Sequence, residues 1–171
     1  MLSIFGVISY KLLFSKTELV IEETSEGPYY LVYQPIEGSY KQVADTYAPI
    51  LRIVEEKGVR PLNPYVIYYS NPDKVPEEKL KSEAGFVIAL ADFPKIEGHL
   101  SIFQSRFFSK SPALIVRLPV NGQVPAKLAA HVHSELGKYT KEKNLKTQGA
   151  IIRKFNLKDG WVYFIAPLKQ E

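Results

Sequence analysis

The chain has 171 residues, 46% hydrophobic and 23% charged, with 22 Lys and Arg against 18 Asp and Glu for a formal net charge of +4. That length supports one domain, or two small fused halves, with a real core, and the composition excludes wholesale disorder. Cysteine is absent, which excludes a disulfide scaffold, thiolate metal sites and thiol nucleophiles.

Residues 1–14 are apolar, but Lys11 interrupts them. A spanning helix needs about 20 apolar residues, and neither the basic start nor the cleavage site of a signal peptide is clear. Three readings of residues 1–18 stay open: a helix packed on the domain, an interfacial anchor giving membrane association through residues 1–14, and the stump of a longer anchor. From Tyr29 to Gln34 the β-branched and aromatic residues predict a strand. Ser39 then caps a helix whose apolar residues recur at Tyr40, Val43, Tyr47, Ile50, Leu51 and Val54, with Gly58 ending it. Pro49 inside this helix predicts a kink or a broken first half. Strands follow at Pro64–Ser70 and Gly85–Leu90, separated by the turn at 71–73.

Residues 91–112 show no clear strand, and Leu100, Phe103 and Phe107 are spaced for one face of a short helix over 98–108. A strand at Ala113–Val120 leads through Asn121-Gly122 and Pro125 into a helix with an apolar stripe at Leu128, Val132, Leu136 and Tyr139 and an end at Asn144. Two last strands, Gly149–Phe155 and Trp161–Ala166, flank the hairpin signal Asp159-Gly160. The order β-α-β-β, spacer, β-α-β-β repeats at an offset of 84 to 86 residues, as from Gly38 to Gly122 and from Val59 to Leu145, which argues for an internal duplication. The expected architecture is a single α+β domain over residues 19–171. Its first half (19–90) and second half (113–171) together form one antiparallel sheet with both main helices on one face. The other face would be concave and free to bind.

The functional signals are fewer. Lys138, Lys141, Lys143 and Lys146 surround a helix C-terminus, where cations suit the dipole, so no nucleic acid is expected as a partner. His131 and His133 point about 200° apart on a helix and cannot share an ion; His99 has no obvious partners, and no metal or cofactor is expected. There is no Gly-x-Ser-x-Gly, P-loop or dinucleotide fingerprint. Eleven Tyr, nine Phe and one Trp make 12% aromatic residues, concentrated on strands. Strand parity puts Tyr29, Leu31 and Tyr33 on one face, and likewise Tyr65, Ile67 and Tyr69, while Tyr30 and Tyr68 point the other way.

The stretches Glu26-Gly-Pro-Tyr-Tyr30 to Gly38-Ser-Tyr40, Val66-Ile-Tyr-Tyr-Ser-Asn-Pro-Asp-Lys-Val-Pro76 and Val162-Tyr-Phe-Ile-Ala-Pro-Leu168 resemble the gyrase-inhibitor-like effector-binding domain, built of two β-α-β-β (SHS2-type) units. Gly137-Lys-Tyr-Thr-Lys-Glu-Lys-Asn-Leu145 is similar to one branch of it, the testis-expressed ER-phagy receptors. The resemblance implies a pocket between the halves that takes drugs and lipophilic cations, or in some members hydrolyses strained cyclopropane compounds. The ER-phagy branch carries an N-terminal membrane anchor and a disordered tail. The apolar start fits the anchor but is short, and Pro167-Leu-Lys-Gln-Glu171 directly follows a strand, so a core fragment or a tail-less relative is expected. Many members have a glutamate in the strand before the last hairpin; matching that stretch places Arg153 there. An Arg would repel cations and remove a general base.

The reading that follows is non-catalytic binding of a small hydrophobic or aromatic ligand. The candidate site residues are Tyr33, Tyr68, Arg117, Arg153, Trp161 and Tyr163: Tyr and Trp to stack on the ligand, the two Arg to orient an anionic group. A monomer, cytoplasmic or membrane-associated through its N-terminus, is expected. Two alternatives remain: a membrane-tethered receptor or adaptor domain, and a hydrolase, which a carboxylate such as Glu37 or Glu83 turning into the cleft would favour.

Overall fold

Near-continuous apolar runs, such as Ala84–Ile88 and Ala113–Val116, allow a strand to be buried on both sides, and here both sides are used. The computed structural model describes residues 19–70, 74–99, 101–119, 124–156 and 158–169. The strands are β1 (Ile21–Glu26), β2 (Tyr29–Glu37), β3 (Asn63–Tyr68), β4 (Lys81–Ile88), β5 (Gln104–Phe108), β6 (Ser111–Pro119), β7 (Ile152–Asn156) and β8 (Trp161–Pro167). They form one eight-stranded sheet in the order β1-β6-β8-β7-β3-β4-β2-β5, with antiparallel pairing throughout. Helices α1 (Val43–Glu56) and α2 (Ala126–Glu142) cover one face. The fold is therefore α+β, with the repeated unit β-α-β-β traced by β2-α1-β3-β4 and again by β6-α2-β7-β8.

The two central strands β3 and β7 join the halves. The leading strands are exchanged: β1 pairs with β6 of the second half, and β5 pairs with β2 of the first. Only Gly27-Pro28 separates β1 from β2, and only Ser109-Lys110 separates β5 from β6. Three peptide steps reach at most about 11 Å, whereas six strand spacings across a flat sheet would need about 29 Å. The sheet must curl until its two ends meet. Gly27 marks the meeting point. It has φ +88°, and a Cβ there would lie 2.9 Å from the Ser109 carbonyl oxygen and 3.1 Å from the Phe108 ring.

Four buried clusters follow. Under α1, Ile50, Ile53 and Val54 pack on Val32, Phe86 and Ile88. Under α2, Leu128, Val132 and Leu136 pack on Leu114, Val116, Val162 and Phe164. Burying each of these side chains contributes roughly 1.5–3 kcal/mol. On the helix-free, concave face Tyr29, Leu31, Tyr65, Ile67, Ile115, Ile152 and Ile165 form a third cluster, so this face is largely filled. Between these two helix-side cores, above β3, a fourth cluster of Ile36, Val43, Val66 and Ala84, flanked by Tyr47, Tyr68 and Phe155, forms the seam between the helices.

Several local expectations change. Residues 104–108 are strand β5, preceded only by single 3-10 turns at Phe93–Lys95 and Glu97–His99. Pairing with the open edge of β2, together with the Tyr29–Phe108 stack at 5.0 Å, outweighs the weak helical spacing. Strand β1 is acid-rich and carries no β signal of its own; β6 supplies it. Helix α1 runs unbroken through Pro49. Pro49 is exposed, so the Asp45 carbonyl that it leaves unpaired can turn to water, while Ile50, Ile53 and Val54 hold the helix down. The turns at 71–73 and 121–122, Leu100, and the whole 1–18 segment with its anchor readings lie outside the described residues. Among the described residues no helix is long and apolar enough to cross a membrane.

The C-terminal ends of both helices behave as expected, whereas Ser39 caps the 3-10 turn Tyr40–Gln42 ahead of α1, and Pro125 is the N-cap of α2 and not its first residue. Asn144 takes φ +53°, and Leu145 N–H donates to the Thr140 carbonyl at 2.8 Å, closing α2 with a left-handed residue. Asn144→Val is expected to lower stability by about 1 kcal/mol, and Asn144→Gly to stay within about 0.5 kcal/mol, because a Cβ crowds the carbonyl oxygen in this conformation, most of all a branched one, and glycine has none. Urea midpoints of the two variants check this.

Candidate ligand-binding site

Strand β7 is central, and its residues alternate between faces. Ile152 and Lys154 enter the concave side; Arg153 and Phe155 enter the seam. Arg153 is partly buried. Its guanidinium carbon lies 5.0 Å from the ring centroid of Tyr68 on β3 and 5.0 Å from that of Phe164 on β8. Its Nε is sealed from water and has no hydrogen-bond partner. None of the ion pairs among the described residues includes Arg153. Burial pushes its pKa down, and the phenols of Tyr68 and Tyr47 only partly offset this.

The walls of the seam are aromatic. On the α1 side Tyr47 donates to the Tyr65 carbonyl at 3.0 Å. Tyr40 donates to the Ser70 carbonyl at 2.6 Å, and its ring meets that of Tyr68 at 4.5 Å. On the α2 side His133 sits edge-on to Phe164 at 5.9 Å; burial and then the Arg153 charge hold its pKa below the usual histidine value. Burial raises the pKa of Tyr68 and Tyr47, so both are neutral phenols at pH 7. The seam offers a cation without a counter-charge, framed by rings and hydroxyls. Such a guanidinium costs free energy until an anion answers it.

Of the six residues singled out in the sequence, Tyr68 and Arg153 meet in this seam. The other four lie on the opposite side of the sheet, where Arg117 and Tyr163 are cross-strand neighbours in β6 and β8. Tyr33 lies under the Arg106 guanidinium at 5.3 Å. Arg117 is exposed and ion-paired with Glu22 on β1. Trp161, 38% exposed, stands at the start of β8, and Tyr163 packs beside Lys154, whose Nζ is 5.7 Å from its ring. Sequence reading missed Tyr47 and Phe164. Tyr47 lies on the apolar stripe of α1, and Phe164 follows parity from Arg153 through its cross-strand pairing in β8. Glu37 is exposed at the end of β2. Glu83 is only 5% exposed, but it is on the concave side, ion-paired with Arg106.

No family model matches the sequence, and no curated protein matches it. Solved structures do. EcmrR, in a cryo-EM structure of an EcmrR–DNA complex, is 12% identical with a TM-score of 0.64 over 98% of this chain and 65% of that one. This chain thus spans somewhat less than two thirds of EcmrR. The EcmrR C-terminal domain alone is 12% identical with a TM-score of 0.64, covering 90% of this chain and 99% of that one. A hydrolase from Listeria innocua is 8% identical with a TM-score of 0.59, covering 94% and 97%.

The first of these overturns the exclusion of nucleic acid. A domain of this fold occurs in a chain solved with DNA, so a small, dispersed net charge does not rule out a place in a nucleic-acid complex. At these identities the likeness is one of fold, and it agrees with what the sequence motifs resemble: this chain has the gyrase-inhibitor-like effector-binding fold.

Proposed function

We propose that the domain is a non-catalytic receptor for a lipophilic small molecule carrying an anionic group, bound in the seam between α1 and α2. The observation behind this reading is Arg153, a partly buried guanidinium clasped by two rings and left without a carboxylate. The ligand's apolar body stacks among Tyr68, Tyr47 and Phe155, and its anionic group answers the guanidinium. A hydrogen bond to a charged group contributes about 1.5–3 kcal/mol, or 10- to 100-fold in affinity. The resemblance supports a binding role, and Arg153 in place of the family's acid reverses the charge selected.

Tetraphenylborate and tetraphenylphosphonium share a shape and differ in charge. Tetraphenylborate is expected to raise the melting temperature of the domain and tetraphenylphosphonium to leave it unchanged. Arg153→Gln is expected to erase the shift. A response to the cation alone would overturn the reading.

The hydrolase reading needs an acid beside the ligand. Among the described residues the seam presents phenols, His133 and Arg153, with Glu83 held away by Arg106, so the binding reading is preferred; turnover of a cyclopropane ester by the intact chain would reverse that preference. The adaptor reading rests on the likeness of residues 137–145 to the ER-phagy branch.

A further inference from the structure

The concave face carries a cleft that is separate from the seam. It has a volume of about 270 Å³ and opens between the end of β3, strand β5 and the 148–150 segment before β7. Ile67, Ile152, Phe108 and Pro167 supply apolar wall, while Tyr69 and Arg106 supply polar wall. Arg106 reaches from the edge strand β5 across β2 to Glu83 on β4, with which it is ion-paired. On the way it lies over the Tyr33 ring at 5.3 Å. The Tyr69 side chain stands beside both members of the pair, and burial, then Glu83, pushes its pKa up to about 12. Behind them Tyr65 is fully buried, and its hydroxyl has no partner.

This cluster is built for more than stability. A carboxylate and a ring face fix the guanidinium, so its remaining donors are presented without further ordering cost. Glu83 already neutralises its charge. The cleft therefore combines fixed, strong hydrogen-bond donors with little net charge, set against an apolar wall. A second anion is not called for. An uncharged oxygen acceptor can take Arg106 and Tyr69 donors without disturbing the buried pair.

We propose that this cleft is a second ligand site, selective for uncharged one- or two-ring compounds bearing a carbonyl acceptor. The acceptor binds Arg106 and Tyr69, and the rings lie on Ile67, Ile152 and Phe108. The site is independent of Arg153, on the opposite side of the sheet, and differs from the seam in the charge it selects.

The test titrates 2-naphthamide and, separately, 2-naphthoate into the labelled chain and follows backbone amide resonances. The amide probe is expected to shift Ser109, Gly149 and Ala150. Ala150→Leu, which fills the cleft and leaves the polar cluster intact, is expected to weaken binding at least 10-fold. Tyr69→Phe is expected to weaken it about 3- to 10-fold, and Arg153→Gln to leave it unchanged. Preference for naphthoate at these resonances, binding unaffected by Ala150→Leu, or loss of binding in Arg153→Gln would each overturn the proposal. Failure of the seam reading alone would show only in the Arg153 variants and the tetraphenyl probes.

Discussion

Replacing Gly85 by alanine is expected to remove a large part of the domain's stability and to lower its urea midpoint sharply. Gly85 lies in β4, flanked by β3 and β2, opposite Tyr65 and Tyr33. A Cβ at this position would stand 1.9 Å from the Val32 carbonyl oxygen and 2.7 Å from the Tyr33 Cα. Both are backbone atoms, so no side chain can rotate away. Strand β2 would have to move by more than an ångström, and it holds the ladders to both β4 and β5. Ordinary overpacking costs about 1–3 kcal/mol. A main-chain clash in the interior of a sheet is expected to exceed about 4 kcal/mol, against a typical total of about 5–15 kcal/mol. Gly98, where an added Cβ meets nothing within 4 Å, is the control: Gly98→Ala should change the urea midpoint by less than about 0.5 kcal/mol. Equal midpoints for the two variants would refute the close approach of β2 at Gly85.

Arg153→Glu is expected to exchange the ligand preference of the seam. Two charges about 4 Å apart interact by about 4 kcal/mol at an effective dielectric near 20, and the substitution turns attraction for an anion into repulsion. Affinity for tetraphenylborate should fall at least about 100-fold, while tetraphenylphosphonium should begin to bind. The carboxylate would face the phenols of Tyr68 and Tyr47, which remain neutral and can donate to it. Calorimetric titration of both probes against both proteins reads the exchange. An unchanged borate affinity in Arg153→Glu would place the ligand away from the seam.

The parts of this fold legible in the sequence are those set by near neighbours. The apolar stripes of α1 and α2, the stops at Gly58 and Asn144 and the Asp159-Gly160 turn depend on residues within a few positions. Strand β1 does not. Ile21-Glu-Glu-Thr-Ser-Glu26 has little intrinsic β preference, and its extended form comes from pairing with β6, as Glu26 opposite Ser111 shows. Strand β5 is similar, since Leu100, Phe103 and Phe107 fit a helix until the open edge of β2 is considered.

The site divides the same way. Parity says which residues share a face, and it grouped Tyr29 with Leu31 and set Tyr68 apart. It does not say which face of each strand meets which face of the next. With two buried faces, apolar alternation loses its power to mark the outside. Arg117, Trp161 and Tyr163 were thus joined to Arg153 although the sheet lies between them. Arg153 itself was found through the motif match, because an arginine stood where relatives carry an acid. The Glu83–Arg106 pair had no local signal, since β2 lies between the two strands that carry it.

The exchange of leading strands makes the repeat a unit of sequence and not of space. A cut in the 91–103 stretch would leave β1 on one fragment with its hydrogen-bonding partner β6 on the other, and β5 parted from β2 in the same way. Each fragment would keep its helix and lose a sheet margin together with half of the concave core. The two pieces are then obligate complements: neither is a domain, and only their reunion restores a sheet whose ends can touch.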